Sequence, residues 1–314
     1  MIRFAARRVA VGALMLLALT GATFVLVYAS GSDIARSLLG DLATPEQVAA
    51  KAAELGLDRP LAQRYLEWLG NAVTGDLGTS WAKSVPVTAL VLSRLPVTLS
   101  LVALVAVVSA ALATVLGVTA AVRGGWVDRL IQATSLLGSA IPGFIVGIVL
   151  VTVLAVRWRL FPATGYTPLT DGVGPWLSSL ALPATALVLG MTATSAQQVR
   201  GALRDTLRLP WITTLRSRGL AERQVIWRYA LRNAAPAGIA VFSLQFVGLL
   251  SGAIVLEQIF ALPGIGTLAV SATTTGDLPV VMGVVVYAVL IVVTVTVAAD
   301  FTTGLLVPRT RRRR

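Results

Sequence analysis

The chain has 314 residues, of which 56% are hydrophobic and only 13% charged, with a net charge of +12 and neither cysteine nor histidine. A soluble domain carries about 25% charged residues, so the composition points to a membrane protein. The missing residue types exclude thiol catalysis, disulfides, a Ser-His-Asp triad and the common zinc sites. The only lysines are Lys51 and Lys83, and Lys83 follows Ala82, so there is no P-loop Gly-Lys-Ser/Thr. Neither catalytic residues nor a metal site are expected, and ATP is not expected to bind here by that motif.

Six charge-free stretches, 9–32, 95–122, 130–156, 172–199, 233–256 and 278–299, each reach the roughly 20 apolar residues that a spanning helix needs. The sequence predicts an all-α integral membrane protein with six transmembrane helices. The first stretch follows Arg3, Arg7 and Arg8 like a signal peptide, but it is long and ends in no clean cleavage site, so it reads as a retained helix within 1–32.

Segment 33–94 reads as a small helical unit. Thr44-Pro45-Glu46-Gln47 has the form of a capping box with proline at the first helical position, and Gly56 stops that helix. Pro60 opens a second, amphipathic helix through Tyr65, Trp68 and Leu69, and the chain breaks at Gly75–Gly78. A short turn, Arg123 to Arg129, joins spans two and three, and span three is expected to kink at Pro142-Gly143. The stretch 258–277 holds Pro263, Gly264 and Gly266 and is too interrupted for a seventh span; a loop or re-entrant hairpin is expected. Gly117, Gly138, Gly147, Gly190 and Gly248 read as close helix-packing points.

With both ends inside, 18 Lys/Arg fall on cytoplasmic segments and eight on outer ones. This positive-inside pattern gives an N-in, C-in orientation and makes 33–94 extracytoplasmic. The tail 309–314 reads as an anchor to anionic membrane lipid, not as a nucleic-acid site. The insert 200–236, with eight arginines and two acids, then lies in the cytoplasm between spans four and five. Pro210 starts a helix with Ile212, Leu215 and Leu220 on its apolar side. Gly219 ends or bends it, and residues 222–232 form a second helix with Val225, Ile226, Tyr229 and Ala230 on one face.

Several patterns, in order along nearly the whole chain, resemble one family: permease subunits of binding-protein-dependent ABC importers for dipeptides, oligopeptides and nickel. They are Gly56-Leu-Asp-Arg-Pro-Leu61 with Gly75-Asp-Leu-Gly78, Ile141-Pro-Gly-Phe144 with Phe161-Pro-Ala-Thr-Gly-Tyr166, Leu182-Pro-Ala184 at the opening of span four, and Glu257 to Gly266 with Asp277-Leu-Pro279. The cytoplasmic insert is similar to the family's coupling loop, with its glycine at Gly219. It departs from the pattern at Thr213, Thr214 and Leu215, where an acid and two alanines are usual, and at Val307-Pro308-Arg309.

The resemblance implies a transmembrane domain over 95–308 that moves peptides, with nickel or another small solute as the alternative cargo, and no enzymatic activity of its own. The implied partners are a homologous second permease, two cytoplasmic ATPases that carry ATP-Mg, and an extracytoplasmic binding protein. Leu215, Arg216, Ser217, Arg218, Gly219, Leu220, Ala221 and Glu222 are the implied ATPase-coupling residues. Glu257, Phe260, Pro263, Gly264, Gly266 and Asp277 are assigned to an outer gate or receptor-docking surface, and Ser139, Pro142, Gln245 and Ser251 to the translocation path. Asp300 is expected to pair structurally, for example with an arginine of the tail. The absence of a mid-span ionisable residue argues against a self-sufficient, proton-coupled carrier.

Overall fold

A computed structural model describes the backbone of residues 2–28, 31–40 and 42–306. The basic tail 309–314, with its expected contacts to lipid and to Asp300, lies outside these residues. So do the side chains of Arg3, Arg7 and Arg8.

The chain folds into α1 (Ile2–Tyr28), α2 (Gly31–Leu39), α3 (Pro45–Glu54), α4 (Leu61–Val73), α5 (Val87–Arg123), α6 (Gly125–Ala140), α7 (Gly143–Leu150, continued as a π-helical stretch Val151–Arg157), α8 (Val173–Leu207), α9 (Pro210–Ser217), α10 (Glu222–Gln224, followed by a π stretch Val225–Ala230), α11 (Leu231–Ile259), α12 (Ile265–Thr274) and α13 (Leu278–Leu306). Among the described residues the only strand-like pairing is an isolated bridge between Thr79 and Pro86. Four continuous helices are long and apolar enough to cross a membrane, at Val87–Arg123, Val173–Leu207, Glu222–Ile259 and Leu278–Leu306, and a fifth span is possible from α6 and α7. The apolar part of α1, Ala10–Leu26, is shorter than these.

Two prolines depart from the sequence-based expectation. Pro96 and Pro183 were expected at the start of spans two and four, yet both lie inside helices that begin at Val87 and Val173. Pro236 likewise sits inside α11. Membrane helices tolerate such prolines because neighbouring helices and local adjustments re-satisfy the freed carbonyl. The expected kink at Pro142 is instead a full break, with α6 and α7 bent by 89°. Ile141 is extended (φ −89°, ψ 120°), as a residue before proline prefers.

The chain divides into two compact units. In the unit made of residues 1–98 and 263–293, Leu77, Val87 and Val91 pack with Ile265, Leu268, Val280 and Val284. Gly283 permits this approach, since a Cβ there would stand 2.4 Å from Val87. Phe24, Leu278 and Met282 form a second cluster with Tyr65, Trp68 and Trp81. The capping box of α3 forms as expected: Thr44 Oγ1 accepts from the Gln47 amide at 3.4 Å, and Gln47 Oε1 accepts from the Thr44 amide at 2.9 Å. The stretch expected as a loop or hairpin at 258–277 contains the short helix α12.

The unit made of residues 99–262 and 294–314 is organised around α8, whose buried residues run from Ser179 to Thr206. Glycines set two of its closest contacts. A Cβ on Gly117 would lie 2.7 Å from Val199, and one on Gly147 would lie 2.7 Å from Leu256. Gly248, expected to be such a point, has nothing within 4 Å of its Cβ position.

Candidate functional site

The arginine-rich insert builds a compact element at the end of α8. Pro210 occupies the first turn of α9, where its missing N–H costs nothing. The helix closes on Gly219, which has φ +78°. The Gly219 amide donates to Arg216 O at 2.9 Å and the Leu220 amide to Leu215 O at 3.4 Å. This is the Schellman arrangement, completed by the apolar pair Leu215 and Leu220. Both leucines pack against a buried cluster of Val118, Leu203, Ile212, Val225, Ile226, Ala230 and Ala234. Ile212, fully buried, thereby ties α9 to α5, α8 and the start of α11 at once.

Arg216 reaches across the turn to Glu222, with Nε–Oε2 at 3.0 Å and Nη2–Oε1 at 2.6 Å. Its hydrogen bonds to the Glu222 carboxylate raise the guanidinium pKa above its ordinary value. The usual acid of the loop is missing at Thr213, and Glu222, beyond the glycine, supplies the carboxylate that holds the turn. Ser217, Arg218, Gly219, Ala221 and Glu222 are exposed, as is Trp211. Trp211 and the half-exposed Trp227 went unremarked in the sequence, though an aromatic on the outer side of so basic a segment is a contact signal. The expected second helix at 222–232 is not separate: it continues through the π stretch into α11 as one helix, Glu222–Ile259. Tyr229 is only half-buried, while Val225, Ile226 and Ala230 face the core.

A carboxylate that the sequence reading passed over lies close by. Asp128, in the first turn of α6 and 5% exposed, accepts two hydrogen bonds from Arg200 (Nε and, at 2.7 Å, Nη2), and Arg204 Nη2 lies 3.1 Å away. The four-residue spacing of these arginines puts both on one face of α8. Arg232 Nε donates to Leu306 O at 2.9 Å, which satisfies a carbonyl in the last turn of α13.

Three of the four expected path residues come together. Ser139, Pro142 and Gln245 line one cavity of about 400 Å³, along with Gly138, Gly190, Thr194, Gly248 and Gly252. The α6–α7 break forms one wall. Ser251 is not among its lining residues; its hydroxyl donates to Val247 O at 3.3 Å.

The residues expected at an outer docking surface are mostly buried. Glu257 and Phe260 are 0% and 2% exposed, and Phe260 O accepts from the Gly165 amide at 3.0 Å. In the other unit, Gly264 and Gly266 are buried, Pro263 is half-buried and Asp277 is 3% exposed. Asp277 accepts from the Ser80 hydroxyl and from the amides of Trp81 at 3.1 Å and Ala82 at 3.3 Å, clasping the 79–86 turn. These side chains fix the chain's corners, and the exposed positions nearby are Val270, Ser271 and Thr273–Thr275. Asp300 is half-buried within α13. Among the described residues no group of three or more His, Cys, Asp and Glu could hold a metal ion.

Comparison with known proteins decides what this arrangement belongs to. The family model described as binding-protein-dependent transport system inner membrane component matches residues 113–312, and that for the N-terminal part of such membrane components matches residues 1–102. The chain belongs to this family. It is a multi-pass permease component of the cytoplasmic (inner) membrane, from a system that works with a binding protein. A peptide transport system permease protein of Brucella abortus (strain 2308) is 36% identical over 97% of this chain and 98% of its own. The oligopeptide transport system permease protein AppB of Bacillus subtilis (strain 168) is 33% identical over 96% of this chain and 97% of its own. The crystal structure of an amino acid ABC transporter with histidines is similar over 69% of this chain and 94% of that one at 14% identity, with a TM-score of 0.48.

Proposed function

We propose that this permease conducts peptides inward as one of two homologous membrane subunits, driven by two cytoplasmic ATPases and supplied by an extracytoplasmic binding protein. Peptide as the cargo is supported by the names of the full-length relatives. ATP-Mg belongs to the ATPases and none is bound by this chain. In this reading the chain crosses the membrane six times, with α1 and the joined α6–α7 as spans, and both termini are cytoplasmic. The arginine distribution supports that orientation.

The observation that carries the proposal is α9, a short helix with an exposed Trp211 and arginines outside and Ile212 sealed against α5, α8 and α11 inside. Such an element does no chemistry with these residues. It fits a groove on a partner and passes that partner's movement to three long helices. The binding protein meets the outer segment 33–94 and the exposed side of α12, while Asp277 holds the corner at the 79–86 turn and Glu257 and Phe260 are buried within the other unit. Asp128, clamped to Arg200, makes α6 follow α8 up to the break at Pro142, beside the cavity.

The test is affinity purification of the chain in mild detergent, with identification of every co-purifying subunit and of the ligand on the recovered binding protein. A second permease, ATPases and bound peptide are expected. Stable recovery with no ATPase sinks the proposal.

A further inference from the structure

A second cavity, of about 440 Å³, lies along the same helix as the first. It is lined mainly by small and apolar side chains of α5, α8, α11 and α13, among them Ala235, Gly238 and Phe242. On α11 these residues and those of the first cavity form one stripe: Ala235, Phe242, Gln245, Leu249 and Gly252 follow at spacings of seven, three, four and three residues. Such spacing keeps them on one helical face. Between Leu231 and Val255, the outermost lining positions, the helix is about 36 Å long at its rise per residue, enough for the ~30 Å hydrocarbon core.

One side-chain hydrogen bond joins a residue of the first cavity's wall to a residue of the second's. Gln245, on the wall of the first, donates through Nε2 to Ser195 Oγ, on the wall of the second, at 3.0 Å. Ser195 is 5% exposed. A neutral amide and hydroxyl impose no charge selection, can open by a side-chain rotation, and can re-form their bond to a passing peptide's backbone amide or carbonyl. We infer that Gln245 and Ser195 form the constriction of a single path along α11, separating an outer, glycine-lined cavity from an inner one. The inference rests on the transport reading above and names the point at which that path is held shut.

The absence of native cysteine allows a direct test in the assembled transporter. Gly248→Cys reports on the first cavity and Gly238→Cys on the second, and both positions have room, with nothing nearer than 3.6 Å to either Cβ. In inside-out vesicles a membrane-impermeant thiol reagent is expected to modify Gly238→Cys quickly and Gly248→Cys slowly. Adding Gln245→Ala, or Ser195→Ala, which removes the acceptor with little change in volume, is expected to speed modification of Gly248→Cys by about five- to tenfold, the scale of one buried hydrogen bond. Unchanged modification of Gly248→Cys in both variants overturns the constriction. Failure of either cysteine to react from either side overturns the path itself. Peptide uptake by the parent complex is measured in parallel, so loss of the transport reading is seen separately.

Discussion

Arg216 and Glu222 grip each other with two hydrogen bonds across the left-handed Gly219, at the exposed end of α9. The pair is about half exposed, at 42% and 52% of side-chain surface. Exposed ion pairs contribute ~0–1 kcal/mol to stability. Its role is therefore to hold the shape of the contact surface. Glu222→Gln is expected to leave the melting temperature within a few degrees of the parent while lowering ATP-driven uptake several-fold, less so at high salt, where the parent's own pair is screened. A large drop in melting temperature with uptake per folded molecule intact would assign the pair to stability instead.

Gly219 is required by conformation and not by space, since nothing lies within 4 Å of its Cβ position. An L-residue at its φ of +78° costs ~1–2 kcal/mol. Gly219→Val is expected to fray the α9 cap and reduce ATPase co-purification, with membrane insertion unchanged. Gly219→Asn, which tolerates the left-handed region, is expected to restore most of the binding. Equal loss in both variants would argue that the absence of a side chain, and not the backbone angle, is what matters.

Removing one partner of the Asp128 cluster leaves arginine charge near a packed helix face. Asp128→Ala is expected to destabilise the permease by on the order of 3 kcal/mol. The double change with Arg200→Leu should recover part of that loss, as a mutant cycle in denaturant would reveal. Strictly additive effects would mean that the two residues do not act together.

The Asp277 clasp gives a local prediction. Asp277→Ala strips the acceptor from the Ser80 hydroxyl and the amides of Trp81 and Ala82, which is expected to cost ~1–3 kcal/mol. The 79–86 turn should become open to protease and the Trp81 emission should shift. A turn as resistant as the parent's would show that its backbone, not Asp277, holds it.

Much of this architecture is legible in the sequence because its causes are local. The Thr44 capping box, the Gly219 stop and the charge-free stretches each follow from a few adjacent residues. The prolines misled because lone prolines at 96 and 183 look like helix starts, whereas a bundle accommodates them within helices. Only at 141–143, where an extended residue, a proline and a glycine coincide, does the chain turn by 89°. Asp128 and Asp277 were missed or misplaced for a different reason. Their partners lie 72 residues away at Arg200 and 197 residues away at Ser80, and no local pattern shows such a distance. The stretch around Phe260 looked like a surface because glycine and proline interrupt it, yet its large side chains face inward.

The central claim is that transport by this chain depends on an ATPase. The most direct measurement is uptake of a labelled peptide into proteoliposomes holding the purified complex, with binding protein outside and ATP enclosed, compared with vesicles lacking the ATPase subunits. Accumulation is expected only with ATPase and ATP together, and is expected to be lost in Gly219→Val. Equal accumulation by the permease subunits alone would contradict the claim.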